Sequence, residues 1–144
     1  MLRVPPIQVI IVRTDLINQQ GQCISVGSLI AQGAKASVKS VLSNKVIIPT
    51  YGVDDVIAYQ LLIPLTNILE EWINGDSTKV IMYANSEQEL LDLYNEANKS
   101  DILCSLVTDT NSIEFGGVAT YTCAAIGPDY PNEINKITSH LKRL

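Results

Sequence analysis

KVIMYANSEQELLDLYNEANKS, residues 79–100, is the stretch whose reading decides the class of fold. Lys79 to Ala84 is a short β-rich apolar run of strand length. Ser86 follows it, with Glu89 three positions on. The serine oxygen can accept from the backbone of a first helical turn while the glutamate reaches back, so the pair reads as a capping box. Leu90, Leu93, Tyr94 and Ala97 then recur at helical spacing, which predicts a helix reaching about Ser100 with one buried face. A strand that runs directly into an amphipathic helix is a βα unit, and repeated units of this kind build α/β domains.

The same grammar extends in both directions. Upstream, Ile7 to Val12 is a β-rich apolar run entered from Pro5 and Pro6, which suits a central strand. Ile24, Leu29, Ala31, Ala34, Val38, Val41 and Leu42 recur at helical spacing and predict a helix from about Ile24 to Leu42. Residues 44–63, apolar and carrying Pro49 and Gly52 with Pro64 next, could hold a short strand, a loop or a second helix; the favoured reading is a loop followed by a helix that begins near Val53, helped by Asp54 and Asp55, bends at Pro64 and ends before Gly75 with Trp72 inward. Downstream, Cys104 to Val107 is a third strand and Thr108 to Gly117 a polar loop. Ala119 to Ile126 is a fourth strand ended by Gly127-Pro128, and Pro131 opens a last helix that buries Ile134, Ile137 and Leu141. The short link between the third and fourth strands makes them antiparallel if they are neighbours. The expected fold is a single α/β domain over residues 1–144, a three-layer sandwich with a four-stranded mixed sheet and helices on both faces.

Composition sets bounds on function. The chain has 144 residues, 47% of them apolar and 17% charged, and a formal net charge of −5. It is long enough to bury a core without staples. Its N-terminal apolar stretch is too short to span a bilayer and soon meets Arg13 and Asp15, so no membrane partner is expected. Cys23, Cys104 and Cys123 are odd in number, lack metal-like spacing and sit in apolar segments; they read as packed, reduced thiols of a cytoplasmic protein. Basic residues are scattered, with Lys35 and Lys39 one helical turn apart and Lys136, Lys142 and Arg143 near the C-terminus. Nothing forms the basic tract usual in a nucleic-acid binder, and no DNA partner is expected. The apolar segment Val46 to Leu65 reads as core, or as a partly exposed surface that pairs two copies into a homodimer.

Three polar loops at strand ends can carry chemistry: Arg13 to Asp15, Asn18 to Gln22, and Thr108 to Glu114. No Gly-rich phosphate loop, metal-binding His cluster or Gly-x-Ser-x-Gly elbow is present, so neither cofactor nor metal is expected. The lone His140 reads as a helix-end residue. Asp109 follows an apolar strand and enters a loop, where an acid can be rigid and exposed at once; a turn-forming aspartate fits the same pattern. Thr120 and Thr122 alternate on one face of the last strand.

Three stretches together resemble the type-2 peptidyl-tRNA hydrolases: Val12-Arg13-Thr14-Asp15-Leu16, then residues 114–128 with Glu114-Phe115-Gly116-Gly117-Val118 and Thr120-Tyr121-Thr122-Cys123-Ala124-Ala125-Ile126-Gly127-Pro128, then Glu133 to Lys142. The resemblance covers about Val9 to Leu144 and is weakest between Asn44 and Ile68. It implies a cytoplasmic hydrolase that cleaves the ester between a peptide and tRNA, with peptidyl-tRNA as partner. In that family a lysine at the start of the first helix, an aspartate after the third strand and nearby threonines are held responsible. The aspartate is present as Asp109 and the threonine as Thr122, with Thr120 beside it. The family's Gly-Lys-hydrophobic-Ala-Ala-Gln run falls on Gly21-Gln22-Cys23-Ile24-Ser25-Val26, so the cation becomes Gln22 and the later glutamine becomes Val26. A family histidine becomes Leu29, and the residues after the aspartate become Thr110, Asn111 and Ile113.

The expected site is therefore Asp109, Thr122 and Gln22 for catalysis, with Arg13, Asp15 and Thr120 toward substrate. An amide can donate a hydrogen bond but supplies no positive charge to an oxyanion or phosphate. The acidic net charge without a basic tract weakens affinity for tRNA as well. Two readings follow: a hydrolase in which another cation, Arg13 first, stands in for the lysine, or a non-catalytic family member that binds or dimerises.

Overall fold

The computed structural model describes residues 3–110 and 113–144; Asn111 lies outside them. In chain order the elements are β1 (Ile7–Arg13), α1 (Val26–Val41), β2 (Val46–Tyr51), β3 (Val56–Leu62), α2 (Asn67–Asn74), β4 (Lys79–Ala84), α3 (Glu87–Lys99), β5 (Cys104–Asp109), β6 (Thr120–Asp129), α4 (Pro131–Thr138) and β7 (Lys142–Arg143). The main sheet has the order β5-β6-β1-β4-β7. β4 runs parallel to β1, whereas β6 is antiparallel to both β1 and β5, as the short link between β5 and β6 required. The sheet has five strands rather than the expected four. The fifth, β7, pairs with Met82 and Tyr83 through two residues only, too few to leave any periodicity in the sequence.

Side chains alternate along β1 and so divide the core. Val9 and Ile11 pack with Ala124 and Ile126 against Leu90, Leu93 and Ala97 of α3 and Ile134 and Ile137 of α4. Ile10 and Val12 pack with Cys123 and Ala125 on the opposite face, against Leu29 and Ala36 of α1. Each fully buried aliphatic side chain here contributes about 1.5–3 kcal/mol relative to exposure. Ser86 caps α3 as expected, accepting from the Glu89 amide at 3.2 Å, while the Glu89 carboxylate reaches the Asn85 amide at 2.7 Å.

α1 has nearly the expected bounds but buries a different face. Gln32, Gly33, Ala36, Ser37 and Ser40 face the sheet, while Val26, Ile30 and Val38 are 71%, 67% and 59% exposed. Small residues let the helix lie close: a Cβ on Gly33 would sit 3.4 Å from the Ile10 side chain. The polar groups brought inside are satisfied. Ser37 Oγ donates to Gln8 Oε1 at 2.6 Å, Ser40 Oγ to the Gly127 carbonyl at 2.6 Å, and Ser105 Oγ to the Ala36 carbonyl at 2.6 Å.

Residues 44–63 overturn the expected loop and helix. They form an antiparallel hairpin, β2 with β3, turning at Gly52 to Asp55, and the only helix between Asn44 and Gly75 among the described residues is the short α2. Val46, Ile47, Ile48, Val56, Ile57 and Tyr59 are β-branched or aromatic and favour a pleated surface. A two-stranded ribbon has no central strand, so Pro49 is tolerated opposite Tyr59. β6 also runs past its expected stop to Asp129, because Gly127 forms a bulge where the register with β1 shifts between Ile7 and Val9. Trp72 is buried as expected, donating to the Thr78 carbonyl at 3.0 Å. No helix among the described residues is long and apolar enough to cross a membrane.

Candidate functional site

The C-terminal ends of β1, β4 and β5 and the start of β6 lie at one end of the sheet, as the pairings Arg13 with Ala84, Val12 with Cys123 and Asp109 with Thr120 require. There the structure joins two predicted residues through a third that the sequence did not single out. Thr122 Oγ1 donates to Gln32 Oε1 at 2.9 Å, and Gln32 Nε2 donates to Asp109 Oδ2 at 3.1 Å. Gln32 and Thr122 are buried, and Asp109 is half-buried at the strand end. Because the amide oxygen is committed to Thr122 and the nitrogen to Asp109, the glutamine has one satisfied orientation. Its signal in the sequence was a polar residue on the helix stripe that carries Gly33, Ala36 and Ser40.

The loop before α1 folds on itself and onto the loop after β5. Asn18 Oδ1 accepts from the Gln20 and Gln22 amides, both at 2.9 Å, and Gly21 closes the turn with φ +75. Gln19 Nε2 donates to the Ile113 carbonyl at 2.9 Å, and Ser28 Oγ to Glu114 Oε2 at 2.8 Å. This dock places the Gln22 loop and the loop beyond Asp109 over the same end of the sheet. Gln22 and Cys23 are exposed, so Cys23 departs from the packed thiol expected of it. Cys104 and Cys123 are buried, and burial pushes the Cys123 thiol up to about 12, which keeps it inert at neutral pH.

Arg13 and Asp15 are held to one another. Arg13 Nε and Nη2 meet the two Asp15 oxygens at 2.9 and 2.7 Å, while Nη1 donates to Glu87 Oε2 and to the Tyr121 carbonyl, each at 2.8 Å. One buried guanidinium thus faces two carboxylates, and the cluster is net negative. Thr120 Oγ1 is turned to the Val118 carbonyl at 2.9 Å. Glu87, 74 residues from Arg13 and one past the helix cap, gave no sign in the sequence that it belonged here.

The Arg13 guanidinium holds the Asp15 carboxyl below its ordinary range through the paired hydrogen bonds. A depressed native pKa gives stability that is present above the unfolded value of about 3.9 and is lost as pH falls through the native value. Acid titration followed by circular dichroism is expected to show the wild type losing stability more steeply at low pH than Asp15→Asn, which starts less stable and has no carboxyl left to protonate. Parallel acid transitions would contradict this.

The family model described as peptidyl-tRNA hydrolase PTH2 matches residues 7–144. The peptidyl-tRNA hydrolase of Methanocaldococcus jannaschii is 31% identical over 136 residues, covering 94% of this chain and 97% of that protein. That of Methanothermobacter thermautotrophicus is 34% identical over 137 residues, covering 95% and 98%. That of Sulfolobus acidocaldarius is 30% identical over 135 residues, covering 94% and 97%. With the match running from β1 to the last residue, and the Asp109 and Thr122 ends of β5 and β6 inside it, this chain belongs to the peptidyl-tRNA hydrolase PTH2 family.

Proposed function

We propose that this protein hydrolyses the ester between a peptide and tRNA, in the cytoplasm, through a site built on Asp109. The observation that carries this reading is the Thr122–Gln32–Asp109 hydrogen-bonded chain at the open end of the strands. Ester hydrolysis needs an acceptor that orients and deprotonates a water and a donor for the tetrahedral oxyanion. Asp109 is the acceptor, fixed from behind by Gln32, which Thr122 holds in turn. Gln22, exposed in the loop above the same sheet end, is the donor in place of the family lysine. Arg13, Asp15 and Thr120 shape the substrate side of the loops, and Arg13 brings no net positive charge because Asp15 and Glu87 balance it.

That balance favours a second reading, a family member that binds without turnover. The two separate in a hydrolysis assay with labelled N-acylated aminoacyl-tRNA at low salt, where phosphate contacts are strongest. Under the first reading the wild type cleaves, and Gln22→Lys raises kcat/KM on the order of a hundredfold by restoring a cationic donor. Cleavage by Gln22→Lys alone would support the second reading, and no cleavage by either protein would remove the first.

A further inference from the structure

We propose that two copies of this chain pair by exchanging hairpins, the β2–β3 hairpin of each lying in the apolar groove between α1 and β4 of the other. The groove is a cavity of about 1000 Å³ whose walls include Val26, Ile30 and Val38 of α1, Trp72, Ile81 and Leu144. Its single charged wall residue is Lys79, whose ammonium lies 4.6 Å from the centre of the Trp72 ring. The groove exists because α1 turns its small and hydroxyl residues to the sheet and leaves its large aliphatic ridge outside.

The matching part is in the same chain. Nine large apolar side chains of β2 and β3 are between 37% and 71% exposed, on both faces of the ribbon. A lone two-stranded hairpin is marginal in water, and one apolar on both faces gains order only when it is covered. Between Val46 and Ile63 the sole charges are Asp54 and Asp55 at the turn, opposite in sign to Lys79 on the groove wall. A stable interface needs roughly 800 Å² from each partner, and an extended ribbon carrying nine such side chains is of that order. Val41 and Leu42 line the groove and the hairpin springs from Val46 just beyond them, and a mutual exchange of the two hairpins is a closed two-fold arrangement.

Sedimentation velocity at micromolar concentration tests this with two variants of the full chain. One replaces residues 46–63 by a short Gly-Ser link, leaving the groove. The other, Ile30→Glu with Val38→Glu at exposed positions, blocks the groove and leaves the hairpin. The wild type is expected to sediment as a dimer and each variant as a folded monomer, with retained thermal unfolding transitions. Unlabelled groove-blocked protein added to isotope-labelled hairpin-less protein is expected to shift the Trp72 indole and Ile81 methyl resonances. A monomeric wild type overturns the proposal, as it would if the hairpin closed on its own groove or met a different partner. A groove-blocked variant that still dimerises, a hairpin-less variant that still dimerises, or a mixture without shifts overturns it equally.

Discussion

Gly127→Ala is expected to lower the thermal unfolding midpoint by about 10 °C. Gly127 lies in β6, between β5 and β1, with φ +98 at the bulge. A Cβ there would lie 2.8 Å from the Ile7 carbonyl oxygen, 2.9 Å from Ile134 Cδ1 and 3.0 Å from the Asp129 nitrogen. Two of those three atoms are backbone and cannot rotate away. The conformational cost of about 1–2 kcal/mol adds to an overpacking cost of about 1–3 kcal/mol. The peptide group also anchors neighbours: its amide donates to the Leu103 carbonyl at 2.7 Å and its carbonyl accepts from Ser40 and Gln8. A total near 3 kcal/mol corresponds to roughly 10 °C for a domain of this size. Gly117→Ala is the control, because Gly117 has φ +74 but nothing within 4 Å of its Cβ position. It pays only the conformational part, about 1 kcal/mol. Equal melting shifts for the two variants in calorimetry would show that the close approach at Gly127 relaxes without cost.

The parts of the fold legible in the sequence were those whose period and caps agreed. β4 and α3 have their expected bounds because Ser86 caps the helix and Leu90, Leu93 and Ala97 repeat along one side. α1 was legible as a helix but not as a packed helix. Hydrophobicity pointed to Val38 and Ala34, whereas close approach to β1 selected Gly33, Ala36 and Ser40, whose smallness is the relevant property. The hairpin was hidden for a related reason. With both faces exposed, its apolar residues do not alternate with polar ones, and the signal that separates strand from helix is absent. In the site, Asp109 and Thr122 followed from strand ends and resemblance. Gln32 and Glu87 did not, since each acts through a partner at least 74 residues away in the chain.

Asp109→Asn is expected to reduce turnover of peptidyl-tRNA by a factor of about 10² to 10⁴, the range for removing a general base, with little change in stability. The amide keeps the carboxylate's shape and can still accept from Gln32 Nε2, so the variant removes the charge and the basicity while leaving the geometry. Gln32→Leu tests the other half of the arrangement. It deletes the bonds to Asp109 and Thr122 while keeping the buried position filled with an apolar side chain, so Asp109 keeps its charge and loses the Gln32 amide that orients Oδ2. If Gln32 acts as a positioning residue, its loss is expected to lower kcat about tenfold to a hundredfold with KM nearly unchanged, because misplacement of a reacting group acts on the chemical step rather than on binding. The double variant is the decisive measurement. If Gln32 works only through Asp109, then Asp109→Asn with Gln32→Leu is no slower than Asp109→Asn alone, since residues acting as a unit are not additive. If the two losses multiply instead, Gln32 contributes separately from Asp109, and the hydrogen-bonded chain from Thr122 is packing that happens to end at the carboxylate.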